Sequence, residues 1–128
     1  MSAMSDYLEN AIVNATLRNT TYTSPATVYV GLFTTDPTDA GSGTEVSGGS
    51  YVRKAATFAA PSNGVSVTSA DVNFTQATGT WGTVTHFGIF DASTAGNLMY
   101  HGALTTSKTI ETGDVFNITA GNLSVTLA

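Results

Sequence analysis

Residues 83–104 read TVTHFGIFDASTAGNLMYHGAL. Two runs rich in β-branched and aromatic residues, 83–90 and 97–104, flank a polar connection from Asp91 to Gly96. Such runs suit a pleated surface, and a short polar break between them predicts an antiparallel hairpin. If the connection closes the hairpin tightly, Phe90 pairs with Asn97 and His86 lies opposite His101. The rest of the chain is read outward from this hairpin.

Upstream, ATVYVGLF (26–33) is a mostly apolar run of the kind found in central strands, and YVRKAATF (51–58) is a weaker strand candidate. GVSVTS follows the turn signal Pro61-Ser62-Asn63-Gly64, and DVNF comes next. Downstream, DVFNI (114–118) and NLSVTL (122–127) flank Ala120-Gly121 and predict a closing hairpin. One segment alone has helical period. Leu8, Ala11, Ile12 and Ala15 fall at i, i+3, i+4 and i+7, with Ser5 placed as N-cap, Asp6 and Glu9 in the first turn, and Asn19, Thr20 and Thr21 ending the pattern. The expectation is a single domain over 1–128, mainly β. It is an antiparallel β-sandwich or barrel-like (jelly-roll-like) fold over 26–128, with one N-terminal amphipathic helix at 5–18 and a long loop at 34–50.

Composition narrows the function classes. Charged residues make up 10% of the 128, against about 25% in ordinary soluble domains. Threonine is the commonest residue, so the surface is one of hydroxyls and amides, suited to lying against a partner. A net charge of −5 with four basic residues provides no footprint for nucleic acid, and none is expected as a partner. The absence of cysteine excludes disulfides and thiol chemistry. The start lacks the basic and apolar regions of a signal peptide, and no apolar run reaches the roughly 18 residues of a membrane span. The chain is expected to be made and soluble in a cytoplasm, with no membrane partner.

The loop TTDPTDAGSGTEVSGGS (34–50) concentrates Asp36, Asp39 and Glu45 among hydroxyls and the glycines at 41, 43, 48 and 49. An EF-hand needs acidic or amide ligands on alternate residues before its turn glycine, whereas here Asp36 and Asp39 stand three apart around Pro37. A P-loop needs a lysine after its second glycine; Gly43 and Gly48 have the spacing, but Gly49 stands where the lysine must be. His86 and His101, paired across the hairpin, would need a third ligand to hold zinc, and neighbours Gly88, Phe90, Asn97 and Met99 provide no strong one. No G-x-S-x-G elbow is present, and Asp71 with Asp91, or Glu111 with Asp114, read as turn acids. The sequons at Asn14, Asn19, Asn73, Asn117 and Asn122 follow from threonine abundance. Trp81, Tyr51, Phe58, Phe74 and Tyr100 fit a core better than a sugar-binding face. No catalytic residue, metal or cofactor is therefore expected, an irregular calcium site built on Asp36, Asp39 and backbone carbonyls being the alternative for the loop. Asp36, Asp39, Glu45 and Tyr51, in and beside the loop, and Leu8 and Ile12 on the helix are the residues expected to meet a partner, the loop serving as a contact arm.

Three stretches carry a resemblance: YVGLFTTDPTDAGSGTEVSGGSYVRKAATF, WGTVTHFGIFDASTAGNLMYHGAL and KTIETGDVFNITAGNLSVTLA. They resemble a family of small tailed-bacteriophage virion structural proteins, often labelled tail-fibre proteins, over nearly the whole chain. The resemblance implies a non-enzymatic protein located in the virion. With no heptads, no shaft repeat and room for one domain, the chain fits a capsid decoration or cement protein at least as well as a fibre. Such a protein would form a homo-oligomer, a trimer, and bridge capsomers of the major capsid protein or meet other virion proteins. The alternatives are a tail or fibre component that contacts the host surface and a carbohydrate-binding module.

Overall fold

The computed structural model describes residues 2–127. In chain order the elements are β1 (Ser2–Met4), α1 (Asp6–Leu17), β2 (Val28–Phe33), β3 (Lys54–Ala56), β4 (Val65–Val67), β5 (Val72–Asn73), β6 (Gly82–Phe90), β7 (Leu98–Ile110), β8 (Asn117–Ile118) and β9 (Ser124–Thr126). A five-stranded antiparallel sheet in the order β1-β7-β6-β2-β3 forms one layer, and the two-stranded ribbons β4-β9 and β5-β8 form the other. The fold is mainly β and sandwich-like with one N-terminal helix, as the patterning predicts.

Strand alternation decides which residues enter the sandwich. Val30 pairs with Ile89 and Leu32 with Phe87, so these four share the inner face. They join Val72, Phe74, Phe116, Ile118, Leu123 and Val125 of the second layer in one core with Trp81 and Met99. Asn63 and Gly64, both with positive φ, make the tight turn into β4, closed by the Ser62–Val65 backbone pair.

The outer face of the sheet is built differently. Gly31 of β2 and Gly88 of β6 lie directly opposite each other, and together they leave a hollow at the centre of the sheet. Phe33, Phe90 and Leu98 fill it as a second small core, with the two rings stacked at 5.9 Å between centroids. A Cβ on Gly88 would lie 2.8 Å from Leu98 Cδ1 and 2.9 Å from Phe33 Cε1, which is closer than packed carbons come. The glycines are there for contact rather than for flexibility.

Three expectations need correcting. The β6–β7 hairpin is wider at its turn than assumed: Phe90 pairs with Leu98, and a bulge at Met99 shifts the rest, so His86 faces Ala103 and His101 faces Gly88. The closing hairpin does not form, because 117–118 pairs with β5 and 124–126 with β4, each segment crossing to the second layer. Strand β7 runs on to Ile110, six residues beyond the expected end at 104, through a threonine-rich stretch whose polarity resembles a loop.

Helix α1 occupies its expected range within a residue. Ser5 caps it by accepting from the Leu8 N–H at 3.2 Å, and donates its hydroxyl proton to the Leu98 carbonyl. Arg18 ends the helix and Asn19 follows in the left-handed region at φ 54°. Only Leu8 of the helix is fully buried; Ala11 and Ala15 are half-buried and Ile12 is 37% exposed.

Overpacking the hollow tests this account. Gly88→Ala is expected to lower the unfolding free energy by about 1–3 kcal/mol in a denaturant titration. Ala103→Gly, on the same face but exposed, should cost no more than about 1 kcal/mol. Equal losses at the two positions would show that the close contacts at Gly88 do not matter.

Candidate functional site

The 34–50 loop closes over the outer face of the sheet instead of projecting from it. Its return arm pairs with β2 past the end of β3: Thr34 N–H donates to Thr44 C=O and Val46 N–H to Leu32 C=O, both at 2.9 Å. Pro37 and Val46 are buried. At the far end, the Trp81 indole N–H donates to Gly49 C=O at 2.9 Å.

Two polar clusters form beneath the loop. In the first, Arg53 grips Glu45 in a two-pronged pair, Nε to Oε2 and a terminal nitrogen to Oε1, each 2.8 Å. Its other terminal nitrogen donates to the carbonyls of Ala92 at 3.0 Å and Ala95 at 2.7 Å, and its guanidinium lies 3.5 Å from the Phe90 ring centroid. The Tyr51 hydroxyl donates to Glu45 Oε2 at 2.6 Å and accepts from the Leu32 N–H at 2.9 Å, capping the edge of β2 where β3 stops. Burial first, and then the bond to the Glu45 carboxylate, push the Tyr51 phenol well above its ordinary value of 10.0.

In the second cluster, Asp36 sits between the two histidines. His86 Nε2 is 4.0 Å from Asp36 Oδ2, and His101 Nδ1 is 3.9 Å from Asp36 Oδ1. His101 Nε2 is hydrogen-bonded to Asp39 Oδ1 at 2.7 Å, and His86 Nδ1 to the Thr85 hydroxyl at 2.8 Å. Asp39 also meets α1: its carbonyl accepts from the Asp6 N–H at 2.9 Å, and carboxylate oxygens of Asp6, Glu9 and Asp39 lie within 4.8 Å of one another.

The residues singled out from the sequence therefore divide. Asp36 and Asp39 are exposed on the loop but turn a carboxylate oxygen toward a histidine. Glu45 and Tyr51 are tied to Arg53 and the core within the chain, Leu8 is buried under the helix, and Ile12 remains at the surface. Trp81 and Phe74 are buried and Tyr51 packs against both, so these aromatics line the interior and present no platform to a sugar. Asp71, Asp91 and Asp114 each accept a backbone N–H within a turn or from the neighbouring loop. Arg53 escaped sequence reasoning; its signal was an arginine five residues after Gly48, just ahead of β3 and next to a loop holding three acids and no cation.

A protein of this architecture, with its longest loop spent on internal bonds, falls in the class of bacteriophage virion structural proteins once the comparison with known families is added: the family described as podophage GP4 fiber I protein gp80 matches residues 3–126. The chain belongs to that family, which bears out the resemblance to phage virion proteins labelled as fibres. No curated protein matches the chain.

The Tyr51 contacts give a pH signature. A phenol whose folded value is raised contributes stability that is complete below about pH 10 and is lost as the pH rises above it, by about 1.4 kcal/mol per unit for one proton. Unfolding measured from pH 8 to 11.5 should show that loss, and Tyr51→Phe should reduce it to what Tyr22 and Tyr100, whose phenols burial also raises, contribute, while costing about 1–3 kcal/mol at pH 8 through the orphaned Leu32 N–H and Glu45. A variant with the same alkaline slope as the parent would remove Tyr51 as its source.

Proposed function

We propose that the chain is a non-enzymatic building block of a virion fibre that works by associating with copies of itself. The observation that carries this reading is the apolar surface left open on α1. Val13 is 50% exposed and Leu17 78%, beside Tyr7 at 41%, in a helix that the sheet supports only along one side of its first turns. A chain with 10% charged residues has little else to keep such a surface in water, and burying it against a second copy removes the cost. The edge of β7 beyond Gly102, where β1 stops pairing, adds a backbone to which a neighbouring strand can bond.

The family description supports a fibre over the capsid-bridging role expected from the sequence. Capsid decoration stays as the second reading because the fold is one small sandwich with no shaft repeat, the form a cement subunit would take. In both readings the subunits form a symmetric oligomer, a trimer, and touch other virion proteins; the host surface is the outer contact of the fibre and the major capsid protein that of the cement. Val13 and Leu17 join Ile12, expected from the sequence, as the proposed contact residues on α1, while Leu8, Glu45 and Tyr51 are engaged within the chain. Among the described residues no helix is long and apolar enough to cross a membrane.

Sedimentation velocity of the purified chain at micromolar concentration is expected to show a single oligomer, and Val13→Glu with Leu17→Glu to yield a monomer with unaltered far-ultraviolet circular dichroism. A parent that stays monomeric up to roughly millimolar concentration would defeat the self-association reading. Density for the chain in images of the virion should lie in a fibre; density at capsomer junctions would replace the fibre with the cement.

A further inference from the structure

Strand β7 loses its outer partner partway along. β1 covers that edge only from Tyr100 to Gly102, and among the described residues nothing pairs with it beyond Gly102. On the other side, β6 sets Thr85 alone against the four residues Leu104–Ser107, between the pairs His86–Ala103 and Val84–Lys108. A bulge that wide bends the strand away from its neighbour, and residues 105–109 are all exposed. An open trough of about 540 Å³ lies between this stretch and the 115–119 segment. Leu104, Ile110, Phe116 and Ile118 give it an apolar lining, and Val115 stands at its side, 52% exposed. Lys108 is its only cation among the described residues.

Helix α1 carries the complementary features. Asp6, Glu9, Val13 and Leu17 are all exposed, and their spacing puts them on one face, acids first and apolar side chains after. Carboxylate oxygens of Asp6, Glu9 and Asp39 lie within 4.8 Å of one another. Among the described residues no lysine or arginine pairs with them, and no carboxylate pairs with Lys108. From Glu9 to Leu17 the helix rises about 12 Å, and from Lys108 to Leu104 the strand spans no more than about 13 Å. We propose that α1 of one copy of this chain lies along the β7 trough of the next, with Asp6 and Glu9 facing Lys108 and with Val13 and Leu17 entering the apolar lining. This rests on self-association through α1 and adds the surface that receives it. A symmetric trimer requires such a surface: an isologous contact closes at two copies, whereas each subunit of a ring of three presents two different faces. Helix and trough are two such faces on one chain, opposite in charge and each with apolar area left uncovered.

Two variants and their mixture test the pairing. Val13→Glu with Leu17→Glu disables the helix, and Lys108→Glu with Val115→Glu disables the trough; all four positions are exposed, so both chains should fold. Each variant is expected to sediment as a monomer, with the parent's circular dichroism, at a concentration where the parent is assembled. Mixed in equal amounts they should form a dimer and go no further, because one intact helix then meets one intact trough. Within one chain, Glu9→Lys and Lys108→Glu should each weaken association about tenfold, and the two together should recover most of it. A trough variant that assembles as the parent does would overturn the proposal and leave helix-to-helix association standing. A mixture that stays monomeric would overturn it too, since helix and trough would then serve different contacts. A parent that is itself monomeric would defeat self-association through α1, and this pairing with it.

Discussion

The Glu45 carboxylate is the point at which the loop, the sheet edge and the hairpin turn meet. Arg53 reaches it from the residue just ahead of β3 and, with the same guanidinium, holds the carbonyls of Ala92 and Ala95 in the β6–β7 turn. Tyr51 reaches it from the core and seals the Leu32 amide. With the arginine side chain 9% exposed and the glutamate 25%, loss of either partner would strand a charge where water reaches it poorly. The pair is therefore a condition for the loop's position more than a source of net stability. A chain so poor in charge commits its best ion pair to closing its own surface.

That closure depends on space. The Glu45 side chain passes over Gly31, where a Cβ would lie 2.8 Å from its Oε2, and the hollow made by Gly31 and Gly88 admits Phe33, Phe90 and Leu98. Larger residues in the middle of two central strands would lift the rings and the loop together. The sheet is thus packed on both faces, inside by the ribbons and outside by its own longest loop. Among the described residues, no buried side-chain nitrogen or oxygen lacks a hydrogen-bond partner. Hydroxyls and turn acids do the satisfying that salt bridges do elsewhere.

Local features of the fold were legible in the residues. Helix α1 could be read because its cap, first-turn acids and apolar spacing all lie within 15 residues of each other, and β2, β6 and the start of β7 because their side chains are strand-formers on a buried sheet. What failed were the features decided by distant partners. A bulge at Met99 leaves no mark in composition, yet it moved every pairing below the turn and separated His86 from the position opposite His101. The end of β7 is strand because β6 pairs with Lys108, Thr109 and Ile110, and the last two strands cross layers because β4 and β5 offer edges. The candidate site was half visible: the acids and the histidines were each noticed, but no spacing rule connects residue 36 with 86 and 101. Only the loop's fold-back does so, and that is set by Arg53 and two glycines.

Ser5 has a consequence for how the molecule carries load. Its hydroxyl and amide are both bonded to β7, through Leu98 and Met99, while the next amide, Asp6, is bonded to Asp39 of the loop. A neighbour pulling on the exposed end of α1 would transmit that tension to the root of the hairpin and to the loop at once. There it would act across antiparallel strand pairs and across a latch of side chains, so several bonds would have to yield together before the helix could peel away. The short stretch of backbone at Ser5 and Asp6 is the anchor of a handle, and the sandwich is what the handle is fixed to.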